Sequence, residues 1–307
     1  MQGNKIKKKI DIKDLIFYIV LIAIPFVNFC IFYVGVGFNS ILLTFRTYKY
    51  QGVKLVEGWT VFGNIRTAID LFLTDYTHLM ALKNSLVYWL IGYTISMALA
   101  LLFSYYISKK MIGSRLFRIM LFLPSIISVM SLVVIYKYFV DRAIPEVVNL
   151  LFKVKPKGLL ENESTQFASI VVFNILMGFG TWTLMFSNAM SGIEPEVIEA
   201  AKIDGAAGIK EFVFVIFPMI YSTFVTFTII SVGGIFINQA NLFSFFSHGA
   251  SANTITVGYY FYEKTLAAGS NLAEYPLLAA MGIVLTFISI PITYLVKWAL
   301  EKYGPQM

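Results

Sequence analysis

Long apolar runs separated by short polar stretches set the pattern of this chain. A bilayer core of about 30 Å takes roughly 20 apolar residues per helix, and six runs reach that length. The pattern predicts helices over about Leu15–Phe45, Asn84–Ser108, Leu116–Phe139, Gln166–Met190, Val213–Phe236 and Pro276–Ala299. The first run exceeds what a straight span needs, which implies tilt, a bend near Pro25 or an extension beyond the bilayer. Asn84-Ser85 is placed to cap the second helix, since either side chain can accept a first-turn N–H. The aromatic stretch Thr256–Ala268 is a further candidate helix outside the spans. The architecture expected is an all-α integral membrane protein with six transmembrane helices. Its parts are a basic cytoplasmic lead over 1–14, the first transmembrane helix over 15–45, a polar extracellular segment over 46–83, a five-helix core over 84–299 and a cytoplasmic tail over 300–307.

Composition agrees with that class. Hydrophobic residues make up 58% of the 307 residues and charged ones only 13%, against about 25% charged in soluble domains. The net charge of +7 is not a nucleic-acid footprint, because the Lys and Arg residues lie between apolar runs rather than on one basic face. Lys5, Lys7, Lys8 and Lys9 precede the first apolar run in the manner of a signal peptide. That run is too long for a signal peptide's apolar region of roughly 7–15 residues, and no small-residue cleavage site closes it. It reads as an uncleaved first transmembrane helix. Cys30, the single cysteine, allows no internal disulfide and reads as a small buried apolar residue. With the N-terminus inside, inner segments hold 13 Lys and Arg and outer ones 11. The inner segments are about half as long, so their higher density of positive charge places both termini on the cytoplasmic side.

One polar island interrupts the apolar pattern between helices four and five. Pro195 can open a short helix, and Glu194, Glu196 and Glu199 sit near its positive end. Ala200, Ala201, Ala206 and Ala207 leave one side with little bulk, and Gly205 and Gly208 stand where such a helix would stop. Small residues on one side let another surface approach closely. The segment should lie flat on the cytosolic membrane surface and face something soluble.

The same residues carry a family signature. Glu199-Ala200-Ala201, then Asp204-Gly205-Ala206, then Phe212 and Pro218, resemble the motif of bacterial ABC importer permeases, with Val215 and Phe217 where isoleucine and leucine are usual. The resemblance extends from about Asn84 onward. Asn84-Ser85 resembles the Asn-Thr opening of the family's core, and Arg118–Pro124 resembles a segment of the sugar-type members. Gly249–Thr254 departs from their Gly-Gly-Pro, and Gly258–Tyr262 resembles the aromatic segment that follows. What the resemblance implies is a type I importer permease fold with a coupling helix over about 195–208, in a bacterial cytoplasmic membrane. It also implies a second homologous permease, two ATPase subunits that bind ATP and Mg, an extracellular solute-binding protein and a sugar substrate of the maltose or multiple-sugar kind. Glu199 would anchor the coupling helix by a charged contact, the alanines would allow close approach, and Gly205 would permit the turn after Asp204.

Catalytic chemistry is not legible. His78 and His248 fall in predicted outer segments, and no Cys/His cluster has metal-ligand spacing. No GxxxxGK[ST] loop occurs, so the chain is not itself an ATPase and no cofactor is expected in it. The spans hold almost no ionisable groups away from their ends, which argues against proton coupling and for energy supplied by another subunit. Neutral polar groups within and beside the spans are candidates for a solute path: Ser128, Tyr136, Asn174, Thr181, Trp182, Asn188, Asn238, Gln239 and Asn241. Tyr136 and Trp182 could stack on sugar faces while amides and hydroxyls bond sugar hydroxyls. Helix packing through Gly178, Gly180 and neighbouring Ser and Thr is the alternative reading. A permease for a glycerophosphodiester, a polyamine or a peptide also remains open, as does a membrane scaffold or membrane enzyme.

Overall fold

The structure is a computed structural model describing residues 12–51, 54–269 and 271–305. In chain order, α1 (Ile12–Phe29) passes through a π turn (Cys30–Gly35) into α2 (Val36–Thr44), followed by strands β1 (Arg46–Gln51) and β2 (Lys54–Trp59) and helix α3 (Gly63–Thr74). Next come α4 (Tyr76–Ser108), α5 (Ser114–Ile126), α6 (Val129–Tyr138), a π turn (Phe139–Ala143), α7 (Ile144–Phe152) and α8 (Glu163–Ser191). A short α9 (Pro195–Ile203) leads to α10 (Ile209–Glu211), a π turn (Phe212–Ile216), α11 (Phe217–Met219) and α12 (Tyr221–Gly233). The chain closes with α13 (Leu242–Phe246), α14 (Val257–Ala268), a 3-10 turn (Leu272–Glu274) and α15 (Tyr275–Tyr303).

Among the described residues four helices are long and apolar enough to cross a membrane, and two bent pairs bring the number to six if each pair is one span. The six-span expectation therefore holds, with two of the spans broken. The third is not one helix over Leu116–Phe139: α5 and α6 meet at a bend of 102°. Pro124 removes an amide donor from the last turn of α5, and Ile127 and Ser128 are extended. The fifth bends by 71° where α11 meets α12, two residues after Pro218.

The chain divides into two compact units. One combines Met1–Ala68 with Asn271–Ile283. Its antiparallel hairpin runs from Arg46 opposite Trp59 to Gln51 opposite Lys54, where the sequence pattern predicts only a polar segment. Thr47, Tyr48, Tyr50, Val56 and Trp59 favour extended backbone there. The Asn64 amide donates to the carbonyls of Thr44 (2.8 Å) and Arg46 (2.7 Å), which seats the start of α3 on the junction of α2 and β1. α1 runs through Pro25, and its hydrogen-bond pattern widens only at the following π turn. Cys30 is exposed, not buried as expected, as are its apolar neighbours in the π turn, none of which is buried.

The second unit, Ile69–Ser270 with Val284–Met307, holds the helical core. Here α8 lies along α4 and α5. A side chain at Gly180 would overlap the Leu121 carbonyl oxygen, so this glycine sets the approach of α5 to α8. Phe173, Phe186 and Thr183 of α8 are fully buried. The second span starts eight residues earlier than its predicted cap. Asp75 is the actual cap of α4 and accepts from the His78 N–H at 3.2 Å. Asn84 and Ser85 lie inside α4, where Asn84 donates to the Ala252 and Ile255 carbonyls and Ser85 accepts from the Val257 N–H. These bonds fasten α14 and the loop before it to one end of the bundle. At the other end Tyr221 donates to the Leu300 carbonyl, and Tyr105 to that of Gly208.

Candidate functional site

The polar island forms the predicted short helix. Pro195 occupies the first turn of α9, and its C-terminus closes with paired backbone bonds: Gly205 N–H to Lys202 O at 3.0 Å and Ala206 N–H to Ala201 O at 2.9 Å. This double closure needs a left-handed residue at the second position from the end, and Gly205 has φ +83°. Glu199, Ala200 and Asp204 are exposed while Ala201 is buried. Ile198 packs against a core cluster of Met97, Ala100, Phe186, Met190, Ile216 and Ile220. Phe212 packs on the same cluster and its ring lies 5.3 Å from that of Tyr105. Glu211 is buried and ion-paired with Lys109 at the end of α4. α9 is thus held from one side by the packing of Ile198, the Lys109–Glu211 pair ties the following α10 to the end of α4, and α9 leaves Glu199, Ala200 and Asp204 exposed. Ile203, 87% exposed, and Ile209, 82% exposed, flank that outward face.

A cavity of about 230 Å³ opens between α4, α8 and α12, lined by Tyr88, Trp89, Gly92, Tyr93, Ser96, Asn174, Ile175, Gly178, Trp182, Ser231 and Asn238. A second space of about 470 Å³ shares Tyr88, Trp89, Trp182, Ser231 and Asn238 with it. Trp89 and Tyr93 stack at 5.5 Å, and Trp182 meets Tyr93 edge-on at 5.7 Å. The Trp89 indole N–H donates to Ser231 Oγ at 2.9 Å, which fixes the plane of that ring. Asn174 donates to the Ala240 carbonyl at 3.0 Å and accepts from the Asn241 amide at 2.6 Å. Ala240 and Asn241 both have positive φ, so a tight turn after α12 is pinned to α8 beside the cavity.

Of the nine path residues expected from sequence, Asn174, Trp182 and Asn238 line the cavity, and Asn241 touches it through Asn174. Thr181 and Asn188 are exposed and follow Asn174 at steps of seven along α8, on the same open stripe. Ser128 is exposed at the α5–α6 break, and Gln239 is half-buried in the turn. Tyr136 is elsewhere: its hydroxyl donates to the Ser169 carbonyl at 2.8 Å and its ring packs on Phe173 and Phe245. Sequence reasoning missed Tyr88, Trp89, Tyr93, Ser96 and Ser231. Trp89, Tyr93 and Ser96 recur at i, i+4 and i+7, a one-face signal that was available in the second apolar run.

Comparison with known proteins agrees with this fold. The arabinooligosaccharides transport system permease protein AraP of Halalkalibacterium halodurans is 27% identical over 237 residues, 75% of this chain and 74% of that protein. The crystal structure of a bacterial ABC transporter involved in import of the acidic polysaccharide alginate superposes with TM-score 0.74 at 17% identity, over 95% of this chain and 97% of that one. The bacterial alginate ABC transporter in complex with an alginate pentasaccharide-bound periplasmic protein gives TM-score 0.71 at 17% identity, over 94% and 95%. Residues 92–307, well over half of the chain, match the model of one family. The chain belongs to the family of binding-protein-dependent transport system inner membrane components.

Proposed function

We propose that this chain is one permease subunit of an ATP-driven importer for an uncharged oligosaccharide. It would pair with a second homologous permease, receive solute from an extracellular binding protein and be driven by two ATPase subunits that bind ATP and Mg. In this reading α9 is the coupling helix, both termini are cytoplasmic, and Glu199, Ala200, Asp204, Gly205 and Ala206 form the knob that enters the ATPase, while Ala201, expected in that contact from the sequence, is buried and lets α9 sit close to its own bundle. Phe212 and Pro218 shape the chain where it re-enters the bundle. The observation that carries the reading is the cavity: its walls are aromatic planes and neutral hydrogen-bonding groups, with no charged side chain among its lining residues. Sugar rings match that chemistry, with apolar faces for stacking and hydroxyls for amides. A glycerophosphodiester would want cations along the path and a polyamine would want carboxylates. The named cargo of the related proteins, arabinooligosaccharides and alginate, supports a saccharide. Alginate is acidic, and the uncharged lining argues that this chain carries a neutral one.

The mechanism follows from packing. The cluster that supports Ile198 of α9 also supports Trp182 and Tyr93 of the cavity wall. A close-packed interior transmits displacement because it compresses little, so a push on α9 reaches the aromatic wall through one continuous set of side chains. The test is uptake by the assembled importer in proteoliposomes, using a panel of neutral and acidic oligosaccharides. Trp182→Ala should lower neutral-sugar uptake about tenfold, the scale of a lost aromatic contact, while Trp182→Phe retains most of it. Uptake of acidic sugars only, or equal uptake by both variants and the parent, overturns the assignment.

A further inference from the structure

We propose that the elbow between α4 and α5 is a binding site for one anionic phospholipid, with an acyl chain in an apolar groove and the headgroup on the basic turn. The groove, about 260 Å³, is lined by Phe103, Tyr106, Gly113, Leu116, Phe117 and Met120. Its floor is aromatic: Phe103 and Phe117 lie 4.9 Å apart, and Tyr106 sits edge-on to Phe117 at 6.0 Å. Its rim is open, with Leu116 and Met120 more than 60% exposed. The tip of the turn carries Ile112, 97% exposed, between Lys110 and Arg115.

Charge complementarity selects the occupant. Lys109, Lys110, Arg115 and Arg118 fall within ten residues, and residues 101–125 contain no Asp or Glu. Lys109 is engaged by Glu211, and Arg118 donates to Ser187 Oγ at 3.2 Å. Lys110 and Arg115 are exposed on either side of the tip. Two outward cations above an open apolar groove match a headgroup phosphate above an acyl chain. A basic cluster directly beside a transmembrane helix is the pattern by which anionic lipid is recognised. Tyr106 donates to the Ile112 carbonyl, which holds the tip over the groove.

Placing this turn at the cytosolic leaflet rests on the importer reading above. The experiment uses the assembled importer, purified and examined by native mass spectrometry with added phosphatidylglycerol or phosphatidylcholine. Phosphatidylglycerol should be retained and phosphatidylcholine should not. Each removed cation weakens retention about fivefold, so Lys110→Gln with Arg115→Gln should weaken it roughly thirty-fold. Leu116→Trp, which fills the groove and keeps the cations, should also release the lipid. Retention unchanged in both variants overturns the site. So does equal competition by inorganic phosphate, which would make this a simple anion site, or a cross-link from Met120→Cys to a partner subunit with no lipid bound. Unchanged lipid retention with transport intact sinks only this inference. A Lys110 that reacts with an impermeant amine reagent from outside intact cells sinks the importer topology instead.

Discussion

At the scale of single residues, Gly205 shows how much one backbone angle can carry. Nothing lies within 4 Å of where its side chain would stand, so crowding does not explain the glycine. Its φ of +83° does. A residue with a β-carbon pays roughly 1 kcal/mol in the left-handed region, Asn less, and a β-branched residue more. Substitution at this position should therefore rank by backbone tolerance rather than by size. Solute-stimulated ATPase activity of the assembled importer should fall in the order Gly, Asn, Ala, Val, with Asn near the parent. Equal losses for Asn and Val would overturn the backbone account and point instead to crowding against the proposed ATPase partner, since within this chain the space around Gly205 is open. This residue was legible in the sequence because a helix stop leaves a local mark. Tyr88 and Ser231 left no such mark: they become cavity residues only when α4 and α12 meet, and that meeting is a long-range fact.

At the scale of elements, apolar length identified the spans, but their ends and breaks depended on hydrogen bonds made far along the chain. Asn84 and Ser85 have the side chains of a helix cap, yet they bond to the start of α14 and the loop before it, about 170 residues away. Asp75 is the cap in their place. Its carboxylate accepts from the His78 backbone N–H, and the His78 ring lies 2.5 Å from the same oxygen. The hydrogen bond from His78 holds the Asp75 carboxyl below its usual range. Folding thus favours the ionised form. The contribution is complete above the unfolded value of about 3.9, shrinks as pH falls through that value and the lower folded one, and vanishes beneath both. Asp75→Asn retains an acceptor for the cap and removes the charge; Asp75→Ala removes both and should cost about 1 kcal/mol. Thermal unfolding of the purified complex should show the gap between parent and Asp75→Asn closing as pH drops through roughly 4. A gap that widens there would mean the carboxylate is not the stabilising form. The breaks in the third and fifth spans were half legible. Pro124 and Pro218 stand beside the two breaks, but a proline does not state how far the next segment turns, and beyond the bends of 102° and 71° α6 packs on α13 and α12 on α4, contacts made far along the chain.

At the scale of the whole molecule, the proposed coupling role of α9 raises the question of how force applied at a surface helix would reach a cavity inside the bundle. α9 has two faces with separate duties. Ile198 packs on the core cluster and Ala201 is buried, while Glu199, Ala200 and Asp204 are exposed. Substitutions on the two faces should then fail differently. Glu199→Lys with Gly205→Glu alters what a partner meets and leaves the inner packing alone. Insertion should remain, thermal stability should fall by no more than the roughly 1–2 kcal/mol of a β-carbon at the left-handed Gly205, and the assembled importer should lose solute-stimulated ATPase activity by about tenfold or more, the effect of placing like or bulky charge in a close contact. Ile198→Ala alters only the inner packing. It should cost about 1–2 kcal/mol for a half-buried side chain, keep ATPase subunits bound, and release hydrolysis from dependence on solute, because the link to Trp182 and Tyr93 is slackened. Co-purification, basal hydrolysis and stimulated hydrolysis, measured on the same preparations, separate the two outcomes. If both variants lost the ATPase subunits alike, α9 would be a docking site alone, and the core cluster between Ile198 and Trp182 would have no part in transmission.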